Sequence, residues 1–313
     1  MGWFDWLFAK KKPAATVPQW ARFFSADEFD AFLATVRSEL ERRSLAFTLR
    51  DGAVEVTLAG GETHTLGLQN LAQRCRQAPR SDWEKLVHGH FTQVLSAEAE
   101  AKDVIDKARD FEAVRGILKV NVYGHKRPGG SAAGIFTWEI ADGLVGCLVY
   151  DLPNTTRSVS VGDAELWGKP RDELIRLAIN NATAEPVREE DVDVQDGCSL
   201  KVLGGGFFTS SNALNLEKRV PLEHPWGALV CVPNRHTVLY HPITDIKVVA
   251  AVNTMLMLAQ KMFVDGPGSI TPELYWWRSG KLERLPSKID DKALHFMPSD
   301  EFLKMLNQLA QPN

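Results

Sequence analysis

Apolar residues recur at helical spacing through Phe29, Phe32, Leu33, Val36 and Leu40. Just before them, Ser25-Ala26-Asp27-Glu28 has the form of a capping box, with serine at the cap and glutamate three residues on, so the pattern predicts a helix opening at Ser25. Three short runs with strand character follow at about residues 45–50, 53–58 and 62–66, separated by Asp51-Gly52 and Gly60-Gly61, dipeptides of tight hairpins. Helical spacing returns over 67–77 and, behind Pro79 and Ser81, over 82–109.

Strand patterns resume at 116–123, 133–141 and 144–152. Pro128-Gly129-Gly130-Ser131 reads as a mobile connection and Asp142-Gly143 as a tight turn. An edge strand near 157–161 precedes a helix over 171–184, after which the charged run 185–193 breaks the pattern. Further strands fit 199–203, 228–232 and 237–241, and helices fit 247–263 and 300–311. Hairpins outnumber βαβ units, and no period of 20–50 residues recurs. The expected class is α+β, mainly antiparallel sheets with flanking helices, in two subdomains. The expected division is an aromatic and basic arm with linker over 1–20, a helix-meander-helix subdomain over 21–112 and a larger α+β domain over 113–313.

Composition narrows the function. The 313 residues are 44% hydrophobic and 24% charged, enough for a substantial core. A net charge of −4 and a pI near 6.1 argue against a nucleic-acid partner, because phosphate-neutralising domains are strongly basic. Residues 1–150 carry 19 basic and 19 acidic side chains and residues 151–313 carry 17 and 21, so the deficit lies in the second half. Cys75, Cys147, Cys198 and Cys231 are widely separated with no CxxC pair, which fits reduced thiols in a cytosolic protein and no structural zinc. No metal or cofactor is expected. Trp3, Phe4, Trp6, Leu7 and Phe8 precede Lys10, Lys11 and Lys12, the reverse of a secretory signal, and no stretch reaches the roughly 18 uninterrupted apolar residues of a membrane span. This arm is expected to dock on the body or on a protein partner. The alternative is a weak foothold on an anionic membrane surface, peripheral to the inner face.

Several phrases, taken in order, resemble the YtpQ-like family of uncharacterised bacterial proteins. They are Leu148-Val149-Tyr150-Asp151-Leu152-Pro153 with Arg157 and Trp167, Leu177-Ala178-Ile179-Asn180-Asn181 with Pro186, Ser211 and Leu214 after Gly206-Phe207-Phe208, and Val232-Pro233-Asn234-Arg235-His236-Thr237 after Gly227. The resemblance spans about residues 25–260 and implies a fold but no established activity. Asn212 and His236 stand where the family favours arginine and aspartate, so a charge pair at those positions is not carried over.

Candidate chemistry concentrates in a few segments. On a helix, His88 and His90 point about 200° apart, which disfavours a metal pair. The acids of 185–196 do not have the EF-hand spacing, and a solvated acidic connection is expected there. Gly204, Gly205 and Gly206, followed by Ser211 and Asn212, let backbone amides approach an anion or another strand, and a helix expected near Ser211 would add free N–H groups. Arg235 and His236 form a polar turn, with His241 and Asp245 beyond the next strand; in an enzyme the four would converge on the glycine segment. Cys231 lies in an apolar run and there is no Gly-x-Ser-x-Gly elbow, so no activated nucleophile is evident. Tyr275, Trp276, Trp277 and Arg278 suggest an aromatic interaction surface; as a strand they place Tyr275 and Trp277 on one face and Trp276 on the other, and a structural role is expected for one of these faces. The reading favours a non-catalytic cytosolic adaptor or binding protein recognising a protein, peptide or small anionic ligand. A hydrolase with a pocket near residues 204–212 and a peripheral membrane protein are the alternatives.

Overall fold

The structure is a computed structural model, and it describes residues 17–57, 63–124, 134–153, 155–193, 199–220, 225–289 and 294–311, with the side chains of 97–106 excepted. The arm carrying Trp3, Phe4, Trp6 and Phe8, the Gly60-Gly61 turn, the Pro128–Ser131 loop, residues 194–196 of the acidic run and Cys198 lie outside the described residues. The chain divides into two compact units, Met1–Phe91 and Thr92–Asn313.

In the first unit, α1 (Ala26–Arg42) opens with the expected capping box. Ser25 Oγ accepts from the Glu28 amide at 3.3 Å, and the Glu28 carboxylate accepts from the Ser25 amide at 2.8 Å. Its apolar stripe buries Phe29, Phe32, Val36 and Leu40. Strands β1 (Ala46–Arg50), β2 (Ala53–Thr57) and β3 (Thr63–Gly67) form an antiparallel meander. Then come α2 (Gln69–Arg76) and α3 (Trp83–Lys107), inside which the boundary between units falls.

The second unit begins with the short α4 (Phe111–Val114) and β4 (Leu118–Gly124), β5 (Thr137–Ala141), β6 (Leu144–Asp151) and β7 (Thr156–Ser158). β6 pairs with β4 on one side and with β5 and β7 on the other. After α5 (Val161–Leu166) and α6 (Arg171–Thr183), strands β8 (Val187–Asp193), β9 (Ser199–Gly205), β10 (Ala228–Asn234) and β11 (Thr237–Pro242) lead to α7 (Val248–Asp265). Strands β12 (Leu274–Arg278) and β13 (Lys281–Leu285), a small hairpin of β14 (Ser287–Ile289) and β15 (Leu294–Phe296), and α8 (Asp300–Leu309) complete the chain. A six-stranded sheet runs β13-β12-β10-β11-β9-β8, and every strand pairing among the described residues is antiparallel. The class is α+β.

Strand alternation explains the core of this unit, since successive side chains leave opposite faces of a sheet. Val230, Val232, Val238, Tyr240, Tyr275 and Trp277 share one apolar core with β4, β6 and α6. Leu229, Cys231, Leu239, Leu274 and Trp276 face the other, with α7 and α8. The sheet is therefore buried on both sides, which accounts for the uninterrupted apolar run of β10. α7 has the length and mean hydropathy, 1.3, of a membrane-crossing segment. Here Val248, Ala251, Val252, Met255, Leu256 and Ala259 are buried in the second core.

Two expectations are corrected. The acidic run is not a simple solvated connection: Val187–Asp193 is the edge strand β8, paired with β9 along its length. Its charges are matched locally, Asp191 by Lys201 at 2.6 Å, Glu190 by Arg188 at 3.0 Å and Glu189 by Arg219 and by the Tyr240 hydroxyl at 2.6 Å. Charged side chains also protect an edge from pairing with another chain. Tyr275, Trp276 and Trp277 are not a surface patch, because all three are buried, and only Arg278 of that group is exposed.

Candidate functional site

The β10–β11 hairpin is closed by Asn234, Arg235 and His236. Asn234 is buried; its Oδ1 accepts from the His236 amide at 3.0 Å and its Nδ2 donates to the Met262 carbonyl at 3.3 Å. This side-chain turn fixes the backbone of the two residues that follow. The Arg235 amide donates to the Gly268 carbonyl at 3.0 Å, and the Arg235 carbonyl accepts from the Ser210 amide at 3.0 Å. The Gly205 amide donates to the His236 carbonyl at 3.2 Å. His236 Nδ1 stands 3.1 Å from the Gly206 carbonyl and 3.3 Å from that of Gly205. Both are acceptors, so Nδ1 carries the hydrogen that binds the loop. Gly204–Gly206, Arg235 and His236 thus meet at one end of the sheet.

Arg235 is the unusual member. Its guanidinium carbon lies 4.3 Å from the Phe207 ring centre, and its Nε is buried with no hydrogen-bond partner. Among the described residues no carboxylate forms an ion pair with it. Burial pushes its pKa below the ordinary arginine value, opposed by Tyr123. The Tyr123 hydroxyl accepts from Asn121 Nδ2 at 2.8 Å. Gly268, at φ +73°, closes the back of the guanidinium so tightly that a β-carbon there would stand 2.0 Å from Arg235 Nε.

Ser211 and Asn212 do not face a ligand. They are buried in a six-residue 3₁₀ segment, Thr209–Leu214, which replaces the helix expected from Ser211. Ser211 Oγ donates to the Val120 carbonyl at 2.9 Å, and Asn212 Nδ2 donates to the Thr209 carbonyl at 3.0 Å. Arg219 reaches Asn212 Oδ1 at 3.4 Å. Both side chains are spent on anchoring the loop from behind. Gly205 is needed for the same packing, since a β-carbon there would meet Thr209 Oγ1 at 2.9 Å.

The expected four-residue convergence does not occur. His236 sits at the hairpin turn, whereas His241 pairs with Leu229 near the far end of β11, about 17 Å along the strand at 3.3 Å per residue. His241 Nδ1 is engaged by the Ser199 carbonyl at 2.9 Å, and burial pushes its pKa below the ordinary histidine value. Asp245 accepts from the Lys247 amide at 2.7 Å and caps the approach to α7. Cys231 is buried beside the Met255 carbonyl at 4.0 Å, and burial raises its pKa strongly, so it is an inert thiol. Burial likewise pushes Cys75 up to about 11. No group of three His, Cys, Asp or Glu side chains suited to a metal occurs among the described residues.

The local sequence marked the glycines, Arg235 and His236. It did not mark Phe207, Tyr123 or Gly268 as their partners, because these come from other parts of the chain. The only local signal was the turn sequence Gly266-Pro267-Gly268. No family model, curated protein or solved structure matches the chain. The fold and this cluster define an α+β protein with an aromatic-backed arginine at one end of its central sheet.

Proposed function

We propose that this protein is a non-catalytic binding protein, working as a cytosolic adaptor, that recognises a small anionic ligand or anionic group through Arg235. The supporting observation is a partly buried guanidinium stacked on Phe207 with no carboxylate partner among the described residues. A desolvated charge without a counter-ion is unfavourable, and a carboxylate or phosphate accepting two parallel N–H bonds offsets that cost. The Phe207 ring holds the fork by one face and leaves the hydrogen-bonding edge for the ligand. His236, bound to the Gly205 and Gly206 carbonyls, sets the distance between the arginine and the glycine loop.

Calorimetric titration with inorganic phosphate and with acetate tests the reading. Arg235→Ala is expected to remove binding of the preferred anion at this site, and Arg235→Lys to weaken it at least tenfold because the fork is lost. Both variants should keep the native circular-dichroism spectrum. Unchanged affinity in a folded Arg235→Ala chain would overturn the proposal.

A further inference from the structure

His236 follows Arg235 in the β10–β11 turn and is half-buried. Its backbone is held on both sides: the amide donates to Asn234 Oδ1 at 3.0 Å, and the carbonyl accepts from the Gly205 amide at 3.2 Å. Its ring is held at Nδ1, 3.1 Å from the Gly206 carbonyl and 3.3 Å from the Gly205 carbonyl. Two acceptors at Nδ1 keep the hydrogen of the neutral ring there, so a second proton goes to Nε2. The resulting imidazolium keeps both contacts and strengthens them, because hydrogen bonds from a charged donor are stronger. The loop that binds the neutral ring therefore binds the charged ring better.

The charges around the turn decide what opposes that proton. Arg235 is the adjacent cation, stacked on Phe207 with its Nε unpartnered. Glu185 lies at the glycine loop, its Oε2 3.3 Å from where a β-carbon on Gly206 would stand, and it is bound to Lys119, which also donates to Asp151 at 2.6 Å. On β8, Arg188 stands opposite Gly204 and pairs with Glu190 at 3.0 Å. At the end of α7, which Asn234 touches through the Met262 carbonyl, Lys261 and Asp265 pair with each other at 2.7 Å. Tyr123 on β4 acts on Arg235. Among these described groups, Arg235 is the cation without a carboxylate, and a like charge beside the histidine disfavours the second proton. An anion on Arg235 removes that repulsion and adds an attraction. Anion and proton then favour each other, and such coupling is reciprocal.

We infer that the Arg235 site, if it binds anions as proposed above, is proton-linked: His236 takes up a proton at Nε2 as a carboxylate or phosphate group binds Arg235. Histidine changes charge between about pH 5 and 8, and the bound state favours the charged ring, so affinity rises as the pH falls through that range. The test titrates the full-length chain by calorimetry with sulfate and, separately, with acetate, at pH 8 and pH 6, where both probes stay ionised. At least one is expected to bind through Arg235, about fivefold more tightly at pH 6. The heat at pH 6 should vary with the ionisation enthalpy of the buffer, because a proton is taken up. His236→Gln, whose amide can still donate to the loop carbonyls, should lose both effects. Nuclear magnetic resonance of the wild-type ring, assigned by its absence in His236→Gln, gives a readout that does not need the variant to bind. The midpoint of its pH titration should move up when the anion saturates the site. Binding that Arg235→Ala leaves intact at both pH values would remove the Arg235 reading and this inference with it. Arg235-dependent binding of equal affinity at both pH values, a pH effect that survives His236→Gln, or an unmoved midpoint would overturn this inference alone.

Discussion

At the scale of single residues, the placement of Arg235 depends on a glycine that is distant in sequence. Gly268 has a positive φ, and its missing side chain leaves room for the guanidinium stem. Gly268→Ala would add left-handed backbone strain of roughly 1–2 kcal/mol and push the arginine off its Phe207 platform. The expected outcome is a fall in stability of about 2 kcal/mol and a loss of anion binding comparable to that of Arg235→Ala. Chemical denaturation and titration of the same sample check both. Wild-type affinity in this variant would show that the guanidinium does not need the glycine. Arg235 and the glycines could be read from sequence because they are unusual in composition, but their partners could not. A ring contact between Phe207 and Arg235 has no periodicity and arises only once β9 and the β10–β11 hairpin are paired.

At the scale of elements, β12 shows why an aromatic run is ambiguous. The sequence placed Tyr275 and Trp277 on one strand face and Trp276 on the other, and the structure agrees. It also supplies a core on each side, so none of the rings faces solvent. Trp276 Nε1 donates to the Trp226 carbonyl at 2.7 Å, and its ring meets Phe302 edge-on at 5.2 Å. Trp276→Ala should therefore destabilise the chain by about 3–5 kcal/mol. Arg278→Ala, which removes an exposed ion pair to Glu301 and a cation–π contact, should cost no more than about 1 kcal/mol. Urea denaturation of the two variants measures the difference, and equal small costs would restore the surface reading. The edge strand β8 carries the converse lesson. Its charges hid a strand because an edge position tolerates polar side chains on both faces.

At the scale of the whole molecule, buried ionisable groups make stability depend on pH. Burial pushes His90 down to about 4 from an ordinary value of 6.5, so below pH 6.5 the unfolded chain takes up a proton that the folded chain refuses. Stability is expected to fall between pH 6.5 and 4, by on the order of 2–3 kcal/mol. Glu39 is shifted below its ordinary value because its bonds to Arg42, Arg43 and His88 outweigh the desolvation that opposes them. Its contribution is present above pH 4.5 and is lost as the pH falls through the lowered folded value, so a second acid step follows the first. Thermal unfolding across pH 3.5–7.5 should show both, and His90→Gln should flatten the segment from 6.5 to 4 without removing the step below 4.5. A slope unchanged in that variant would exclude His90 as its source. The sequence by itself determined the capped first helix, the meander, most of the later strands and the α+β class, because these depend on side-chain period, turn dipeptides and caps within a few residues. Only the tertiary structure decided which aromatic side chains are core, which of the polar candidates meet, and that Glu39 gathers three groups. Those outcomes depend on contacts between distant segments, where burial and charge pairing are set by the neighbours that folding supplies.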